Sequence, residues 1–385
     1  MFNKTLALVG ALLLTLATYA VAADLRAGHP NTYVVHRGDT LWDISARFLK
    51  QPWLWPEVWQ ANPQIRNPHL IYPGDVINLA YLNGQPRLEL ERGVAIGPAI
   101  DTIPLSEVED FLKKLRVVDN AKDLPYITGI EEDQLRSTSG GLVYARGIPN
   151  AQVGDMFAIV RPTVKYGRSH RGSGEYRLRH DDLNFRGDID HINFDSYWKD
   201  VSYGTQGQPE YLGTELKELS LAQVTRTQGA GIETTTLLLL GAGDEVREGD
   251  RLVAPEVQPF DLRFLPHPPH RQAIVSEYTK LRIIGVPDTI KFAGTHEVIA
   301  LSAGTVDGVD NGTVFSIWRI GSNKADRVAH SNELAIDNDH VKLADEFVGH
   351  VMVFRTFDKM SYGLIMDSVR QTTVGDVLKH PDATR

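Results

Sequence analysis

A short phrase that recurs along the chain places the strongest constraint on its fold. In each copy an alternating apolar run leads into a glycine turn, and a second apolar run follows. The copies lie at 140–160, 237–253, 296–318 and 369–378. Alternation with a period of two residues is typical of strands, and glycine supplies the positive φ that tight turns need. Most of the chain beyond residue 140 is therefore predicted to be β-sheet.

A second echo divides this β-rich region into two parts. The segments YLGTELKELSLAQVTRT (211–227) and FVGHVMVFRTF (347–357) both begin with an aromatic residue, an apolar residue and a glycine. Both continue as a strand pattern, and the phrases follow one another in the same order in each part, as in an internal repeat. The sequence predicts two related β-rich modules, at 138–254 and 281–380.

Two segments within this region lack a regular pattern. Residues 255–280 include most of a stretch with five prolines, APEVQPFDLRFLPHPPH, which predicts an extended, semi-rigid connector. Residues 163–210 are long, polar and rich in glycine, and loops of this length inside a domain are usually functional or disordered. We interpret 163–210 as an insertion that is either simply solvated or a contact arm for an acidic partner. The second interpretation rests on its basic residues Lys165, Arg168, Arg171, Arg177 and Arg179.

Residues 81–137 are predicted to be a linker followed by an amphipathic helix. The linker character comes from several glycines and prolines between residues 84 and 104. In LSEVEDFLKKLRVVD, Ser106 and Glu109 have the spacing of a capping box. We expect the helix to pack on the following module through an apolar face made of Val108, Phe111, Leu112 and Leu115.

The first 23 residues have the layout of a secretory signal peptide. Lys4 precedes an apolar run from Leu6 to Leu16, and the small residues Ala20 and Ala22 follow. The run is shorter than the ~20 residues that a membrane-spanning helix needs. We therefore expect export and cleavage after residue 22 or 23, with an uncleaved anchor as the alternative.

Composition excludes several classes of partner and enzyme. The 385 residues carry a formal net charge of −9, whereas nucleic acids and anionic membranes select basic surfaces. The chain has no cysteine, which removes enzymes that use a thiol nucleophile and also a lipid-modified N-terminal cysteine. After the first 23 residues, no segment is apolar enough to predict a transmembrane helix.

Residues 32–80 show the order strand, helix, helix, strand. Residues 33–35 predict a short strand, and Gly38-Asp39 predicts a tight turn into a helix. Thr40 and Asp43 have the spacing of a capping box, with Asp in place of the usual Glu or Gln. The helix has one apolar face made of Leu41, Ile44 and Phe48. Pro73-Gly74 then predicts a turn before the closing strand.

Tryptophan is concentrated in this short region. Four of the six tryptophans, Trp42, Trp53, Trp55 and Trp59, lie between residues 42 and 59. Pro56 suits the first turn of the second helix, and Asn62-Pro63 ends it. So small a domain has little core, and indole rings are a compact way to fill it. We predict a structural role for the cluster, with one or two rings exposed.

The segment YVVHRGDTLWDISARF…ANPQIRNPHLIYPGDVINL resembles a LysM domain, the peptidoglycan- and chitin-binding module. Its opening, its central Asn-Pro and its closing strand all match the family pattern in order. The departure is QPWLWPEVW, which makes the middle longer and richer in tryptophan than in the shortest members. The resemblance implies an α+β fold in which a small βααβ LysM domain precedes the β-rich C-terminal region.

The resemblance also implies a ligand, N-acetylated glycan strands, in a shallow groove. One side of the groove would be formed by Gly38, Asp39, Thr40, Leu41 and Trp42, and the other by Pro68, His69, Leu70 and Ile71. Asp39 is also expected to be a turn residue and Thr40 a helix cap, with glycan binding as an additional role. Acidic and basic residues balance in 32–80, which fits a neutral sugar polymer.

The C-terminal part carries a second resemblance. Residues 144–148, 283–317 and 349–369 are similar to the TsaP family, the secretin-associated proteins of type IV pili with a LysM domain and a FlgT-like region. This resemblance implies a periplasmic protein that anchors an outer-membrane secretin ring to peptidoglycan. The long 163–210 segment departs from the family, and we assign no residue to the secretin contact.

A cell-wall enzyme is the main alternative, because LysM domains often accompany hydrolases. HEVIA at 296–300 begins like a zinc-protease helix but has no second histidine and lies in a strand pattern. His267 and His270 flank two prolines and are interpreted as linker residues. No Gly-x-Ser-x-Gly motif occurs, and the paired carboxylates are adjacent in polar turns. We therefore predict no catalytic residue, no metal site and no cofactor. A hydrolase, a hydrolase activator and a flagellar basal-body accessory stay open as alternatives.

Overall fold

The computed structural model describes most of residues 24–383 and divides the chain into two compact units. The units are Met1–Thr102 and Ile103–Arg385. The gaps in the description are 61–70, 83–84, 95–96, 102, 169–175, 180–198, 204–209, 230, 242, 257–264, 271–280, 287–291, 322 and 326–339. The predicted signal peptide, 1–23, lies outside the described residues. Across the ranges described, no helix is both long enough and apolar enough to cross a membrane.

The first unit contains a three-stranded antiparallel sheet and two short helices. The sheet order is β1-β2-β3. A single 3-10 turn, Pro52–Leu54, leads into the second helix. The elements are β1 (Thr32–Val34), α1 (Leu41–Phe48), α2 (Trp55–Gln60), β2 (Val76–Leu82) and β3 (Gln85–Glu91).

Strand β3 corrects the prediction that the linker begins at residue 81. Residues 85–91 pair with the whole length of β2, with Leu88 opposite Leu79. Leu88 is fully buried, whereas the neighbouring Glu89 is exposed, so the segment has the alternation of a half-buried strand. Pro86 is accommodated because β3 lies at the edge of the sheet.

Three of the four clustered tryptophans are buried in the otherwise mainly aliphatic core of the first unit, as their predicted structural role requires. Trp55 is fully buried, and Trp42 and Trp53 are 2% and 3% exposed. The rings of Trp42 and Trp53 pack with their centroids 6.4 Å apart. The side chain of Trp59 lies outside the described residues. Large rings let a unit of this size bury apolar surface that shorter side chains could not supply.

The second unit begins with helix α3 (Leu105–Lys114) and a nine-stranded sheet. The sheet order is β4-β10-β11-β6-β5-β12-β7-β9-β8, and β10 also pairs with β7. The strands are β4 (Leu115–Val118), β5 (Tyr126–Ile130), β6 (Leu142–Arg146), β7 (Met156–Arg168), β8 (Tyr176–Arg179), β9 (Lys199–Tyr203), β10 (Glu210–Arg226), β11 (Thr235–Leu240) and β12 (Arg251–Val253).

In its described residues, the unit also contains a six-stranded sheet and two short two-stranded pairs. The order in the six-stranded sheet is β13-β15-β20-β19-β16-β22, while β14 pairs with β21 and β17 with β18. The strands are β13 (Ile283–Gly285), β14 (Phe292–Ala293), β15 (Val298–Leu301), β16 (Val314–Arg319), β17 (Asn323–Ala325), β18 (His340–Lys342), β19 (Glu346–Thr356), β20 (Ser361–Ser368), β21 (Thr372–Thr373) and β22 (Val377–Lys379). Residues 298–300 of HEVIA are therefore in a strand, as predicted.

Each sheet contains a closed ring of strand pairings, and the two rings have the same strand order. In the described residues, the first ring is β5-β6-β11-β10-β7-β12 and closes because β12 pairs with β5. The second ring is β13-β15-β20-β19-β16-β22 and closes through hydrogen bonds from Ile283 to Asp376 and from Leu378 to Leu281. When the six strands of each ring are numbered in chain order, their order around the ring is 1-2-5-4-3-6 in both. The two echo segments of the sequence are the fourth strands, β10 and β19.

Strands also account for part of the predicted insertion at 163–210. Strand β7 continues to Arg168, β8 and β9 lie inside the segment, and β10 begins at Glu210. Residues 169–175, 180–198 and 204–209 lie outside the described residues. Of the predicted connector, residues 255–256 and 265–270 are described, and His267 forms a parallel bridge with Thr313.

Helix α3 packs as predicted but begins differently. It starts at Leu105 after Pro104 with no side-chain capping hydrogen bond, so the predicted Ser106–Glu109 box is wrong. Pro104 takes the cap position because its fixed φ suits a helix start. Val108, Phe111 and Leu112 are buried, as predicted, whereas Leu115, also predicted for this face, is half-buried and begins β4. Arg355 of β19 donates to the carbonyl oxygens at the end of this helix, at 2.9 Å from Phe111 and 2.8 Å from Leu112.

Candidate functional site

The turn before α1 is fixed by one carboxylate. Gly38 has φ +93°, and a side chain at this position would point into open space. The Asp39 carboxylate accepts hydrogen bonds from the Tyr33 hydroxyl at 2.9 Å and from the backbone N–H of His36 at 2.8 Å. The Asp39 carboxylate thus stabilises the turn by hydrogen bonds on one side, and the backbone of Gly38 faces outward on the other.

Thr40 caps α1 as the sequence predicts. Its hydroxyl oxygen accepts from the Asp43 N–H at 3.2 Å, and the Asp43 carboxylate accepts from the Thr40 N–H at 3.3 Å. This reciprocal capping box satisfies two N–H groups that a helix start leaves without partners. Thr40 is 5% exposed, so its side chain serves the helix and has little surface for a ligand.

Three of the predicted groove residues are buried in the core. Leu41 and Ile71 are fully buried, and Trp42 is 2% exposed. Their side chains therefore form the floor beneath the turn. Pro68, His69 and Leu70, predicted for the opposite side, lie outside the described residues.

A segment that the sequence analysis places in the linker contacts both predicted sides. The Ile71 carbonyl accepts from the Ile100 N–H at 2.8 Å, and the Leu41 N–H donates to the Asp101 carbonyl at 3.1 Å. Ile100 is 7% exposed and belongs to the core of the first unit, and burial raises the pKa of Asp101. The backbone carbonyl of Ile71 and the backbone N–H of Leu41, one from each side of the predicted groove, are therefore already hydrogen-bonded to residues 100 and 101.

Two aromatic rings beside the turn were not predicted. The rings of Tyr33 and His36 meet edge-on with centroids 5.6 Å apart, and the guanidinium of Arg47 lies 4.6 Å from the Tyr33 ring centroid. Burial and the neighbouring Asp39 carboxylate raise the pKa of Tyr33, so its hydroxyl stays a donor to Asp39 at neutral pH. The signal in the sequence was their position, three residues apart and next to the Gly38-Asp39 turn.

The second unit holds a buried carboxylate that acts as a structural group. Glu215 of β10 is 4% exposed and accepts hydrogen bonds from Thr163 at 2.6 Å, Tyr166 at 2.8 Å and Tyr362 at 2.5 Å. Burial, followed by the charge of Glu215, raises the pKa of Tyr362 well above its usual value. Both carboxylate oxygens have donors, and Tyr362 comes from the second ring, so this cluster joins the two rings.

Comparison with known proteins identifies the first unit. Residues 33–80 match the LysM domain family. The chain is also 35% identical over 60 residues to the uncharacterized protein YqbP of Bacillus subtilis (strain 168). That alignment covers 13% of this chain and 27% of the relative, so the chain spans about a quarter of the relative's length. The LysM domain is a binding domain, and its presence suggests peptidoglycan binding.

Proposed function

We propose that this chain is a non-catalytic periplasmic adaptor between the cell wall and an outer-membrane complex. Its LysM domain binds glycan strands of peptidoglycan, and its second unit holds a secretin ring of the type IV pilus class. The observation that carries the proposal is the LysM match at 33–80, in which the turn and helix cap of the domain are intact.

The glycan lies, in this proposal, across the outer face of the Gly38 turn. Acetamido groups need backbone donors and acceptors, and pyranose faces need flat apolar surface. The turn offers outward-facing backbone, and Tyr33 and His36 offer rings beside it. Leu41, Trp42 and Ile71 support the groove from below, while residues 68–70 would complete its far side.

The second unit gives the adaptor its second attachment. A single shallow groove binds a sugar polymer weakly, and a second contact makes rebinding intramolecular and so strengthens attachment. The resemblance of 283–317 and 349–369 to secretin-associated proteins supports a secretin as that contact. The size of this unit, with two closed rings, leaves ample surface for a protein partner.

Sedimentation with purified peptidoglycan sacculi tests the wall contact and the absence of catalysis together. We expect the chain that begins at residue 24 to sediment with sacculi and to release no soluble muropeptides. Trp55→Ala serves as the unfolded-domain control, because removing a fully buried indole costs about 3–5 kcal/mol. Release of muropeptides by the wild-type chain would contradict the adaptor and favour a hydrolase.

Crosslinking in native envelopes tests the partner. The chain is crosslinked, isolated, and its partners are identified by mass spectrometry, with and without residues 24–80. We expect a type IV pilus secretin in both samples, because the second unit makes that contact. Flagellar ring proteins or wall hydrolases in place of a secretin would leave the LysM assignment intact and overturn the proposed partner.

A further inference from the structure

The second ring carries a cluster of side chains that the glycan-binding proposal does not use. Residues 265–270 lie along the turn that precedes β16. The His267 N–H donates to the Gly312 carbonyl at 3.1 Å, and the Val314 N–H donates to the His267 carbonyl at 2.9 Å. These two hydrogen bonds hold the segment against the turn, which brings His267 and His270 to Asp310.

Three potential ligand atoms converge there. The Nε2 atom of His267 lies 3.3 Å from Asp310 Oδ1, and the Nε2 atom of His270 lies 3.6 Å from Asp310 Oδ2. One ligand atom from each residue lies within 4.8 Å of the other two. The two imidazole rings are 5.3 Å apart between centroids and tilted by 35°.

We propose that His267, His270 and Asp310 form a binding site for a divalent transition-metal ion such as Zn²⁺. Imidazole nitrogen and carboxylate oxygen bind Zn²⁺ at roughly 2.0–2.2 Å, so neighbouring donors of a tetrahedral site lie about 3.3–3.5 Å apart. The two His–Asp separations, one to each carboxylate oxygen of Asp310, are 3.3 and 3.6 Å and lie close to that spacing. The sequence predicts no metal site here, because His267 and His270 flank two prolines as linker residues would, and Asp310 is distant in the chain.

The groups around the ligands are arranged as in metal sites. The Nδ1 atom of His267 lies 2.9 Å from the Pro268 carbonyl, and as a donor to it leaves Nε2 with a free lone pair. Thr313 donates its hydroxyl to Asp310 Oδ1 at 2.7 Å and orients the carboxylate. Such outer contacts fix the tautomer and direction of metal ligands. With that tautomer, Nε2 and the carboxylate are both acceptors, and a cation between them removes their repulsion.

The exposure of the ligands defines the kind of site. The side chains of His267, His270 and Asp310 are 30%, 65% and 55% exposed. Three protein ligands at a surface leave the remaining coordination position to water or to a donor from another molecule. The ion would join residues 265–270 to the second ring, which adds a metal-dependent link within the second unit. This inference is independent of glycan binding.

Calorimetric titration of zinc chloride into the chain that begins at residue 24, after treatment with a chelator, tests the site. The variants are His270→Ala and Asp310→Asn; asparagine keeps an acceptor for Thr313, so the turn should stay folded. The control is His29→Ala, because His29, like His267, precedes a proline and places Nδ1 3.2 Å from that proline's carbonyl. Far-UV circular dichroism checks the fold of each variant.

We expect the wild type and His29→Ala to share one zinc site that is at least about tenfold weaker or absent in His270→Ala and Asp310→Asn. Loss of an outer contact alone typically weakens metal binding 10–100-fold, so loss of a ligand should do no less. Equal zinc binding by all four proteins would overturn the site, even if other histidines bind the ion. An absence of zinc binding by the wild type would also overturn it and leave a plain His–Asp cluster.

Discussion

The two rings of the second unit share, at the same place, an ion pair between a buried aspartate and a partly exposed arginine. In the first ring, Arg161 of β7 donates to both carboxylate oxygens of Asp250, at 2.7 and 2.8 Å. In the second ring, Arg319 of β16 donates to both oxygens of Asp376, at 3.1 and 3.0 Å. Both arginines come from the third strand of their ring, and both aspartates precede the sixth.

The surroundings of the two pairs agree in detail. The aspartate of each pair accepts the backbone N–H three residues earlier, Arg247 at 2.8 Å and Thr373 at 2.9 Å. Each turn also has a glycine at positive φ just before the aspartate, Gly249 and Gly375. In the copies at 237–253 and 369–378, the glycine turn of the recurring phrase is therefore closed by a buried carboxylate. This agreement supports the proposal that the two modules are related.

The rings differ at an exposed turn before their third strands. In the first ring the Gln152 N–H donates to the Asp155 carboxylate at 2.8 Å, and in the second the Asp310 N–H donates to the Thr313 hydroxyl at 3.2 Å. The turn is the same, but the second ring has a carboxylate at the position of Gln152. The Arg–Asp pair is therefore repeated in both rings, whereas the exposed turn positions differ between the rings and can carry separate sites.

Removing the arginine of either pair should cause the largest loss of stability. Arg161→Ala leaves the Asp250 carboxylate buried without its cation, which costs about 3–5 kcal/mol of unfolding free energy. Arg319→Ala should cost less, because the Arg319 side chain is 37% exposed against 21% for Arg161. Urea unfolding measures both. The control is Arg136→Ala, an exposed pair with Glu245 that is worth at most about 1 kcal/mol. If Arg161→Ala were no less stable than this control, the buried pair would not hold the ring.

A smaller loss is expected where the rings meet. Glu215→Gln removes the charge that accepts from Tyr166 and Tyr362, and a buried hydrogen bond to a charged group is worth about 1.5–3 kcal/mol. The same urea experiment should show a loss of this size. An unchanged unfolding midpoint would mean that the two rings are held together mainly by apolar contacts.

The pH dependence of stability tests the same contact between Tyr362 and Glu215. The pKa of Tyr362 is raised in the folded chain by burial and by Glu215, whereas an unfolded tyrosine has a pKa of about 10. Its contribution is therefore complete below pH ~10 and is lost as the pH rises above that value. Tyr362→Phe should be less stable at neutral pH and should lose less stability between pH 9 and 11. If the wild type and Tyr362→Phe lost the same stability between pH 9 and 11, ionisation of Tyr362 would not be the cause of the loss.

The exposed turn should contribute least to stability. Asp310→Asn is expected to change the unfolding free energy by no more than about 0.5 kcal/mol without metal. With zinc chloride added, the wild-type melting temperature should rise and that of Asp310→Asn should not. Gln152→Asp places a carboxylate at the equivalent turn of the first ring, beside no described histidine, and should gain no zinc response. A zinc response in Gln152→Asp would show that the turn alone suffices.

Local patterns were enough to predict much of the fold. The Thr40–Asp43 capping box, the burial of the tryptophans around Trp55 and most of the apolar face of α3 depend on residues close in sequence, and the structure contains all three. The strand phrases indicated a β-rich C-terminal region because period-two alternation and glycine turns are also local.

The features that were missed depend on contacts between distant residues. Strand β3 carried the alternation of a strand, but the prolines and glycines around it favoured a linker. The pairing of residues 100 and 101 with Ile71 and Leu41, and the approach of His267 to Asp310, have no local signal. Such contacts arise only after the chain has folded back on itself.

A pair of glycine substitutions tests the proposed binding of peptidoglycan at the Gly38 turn. Gly38 and Gly28 both have positive φ, at +93° and +76°, and a side chain at either would point into open space. Asparagine tolerates such a backbone better than most residues, so Gly38→Asn and Gly28→Asn should both stay folded. Binding of each variant to sacculi is measured by sedimentation over a range of wall concentrations. The account predicts several-fold weaker binding for Gly38→Asn and wild-type binding for Gly28→Asn. Wild-type binding by both folded variants would contradict it, because the turn would then not contact the glycan.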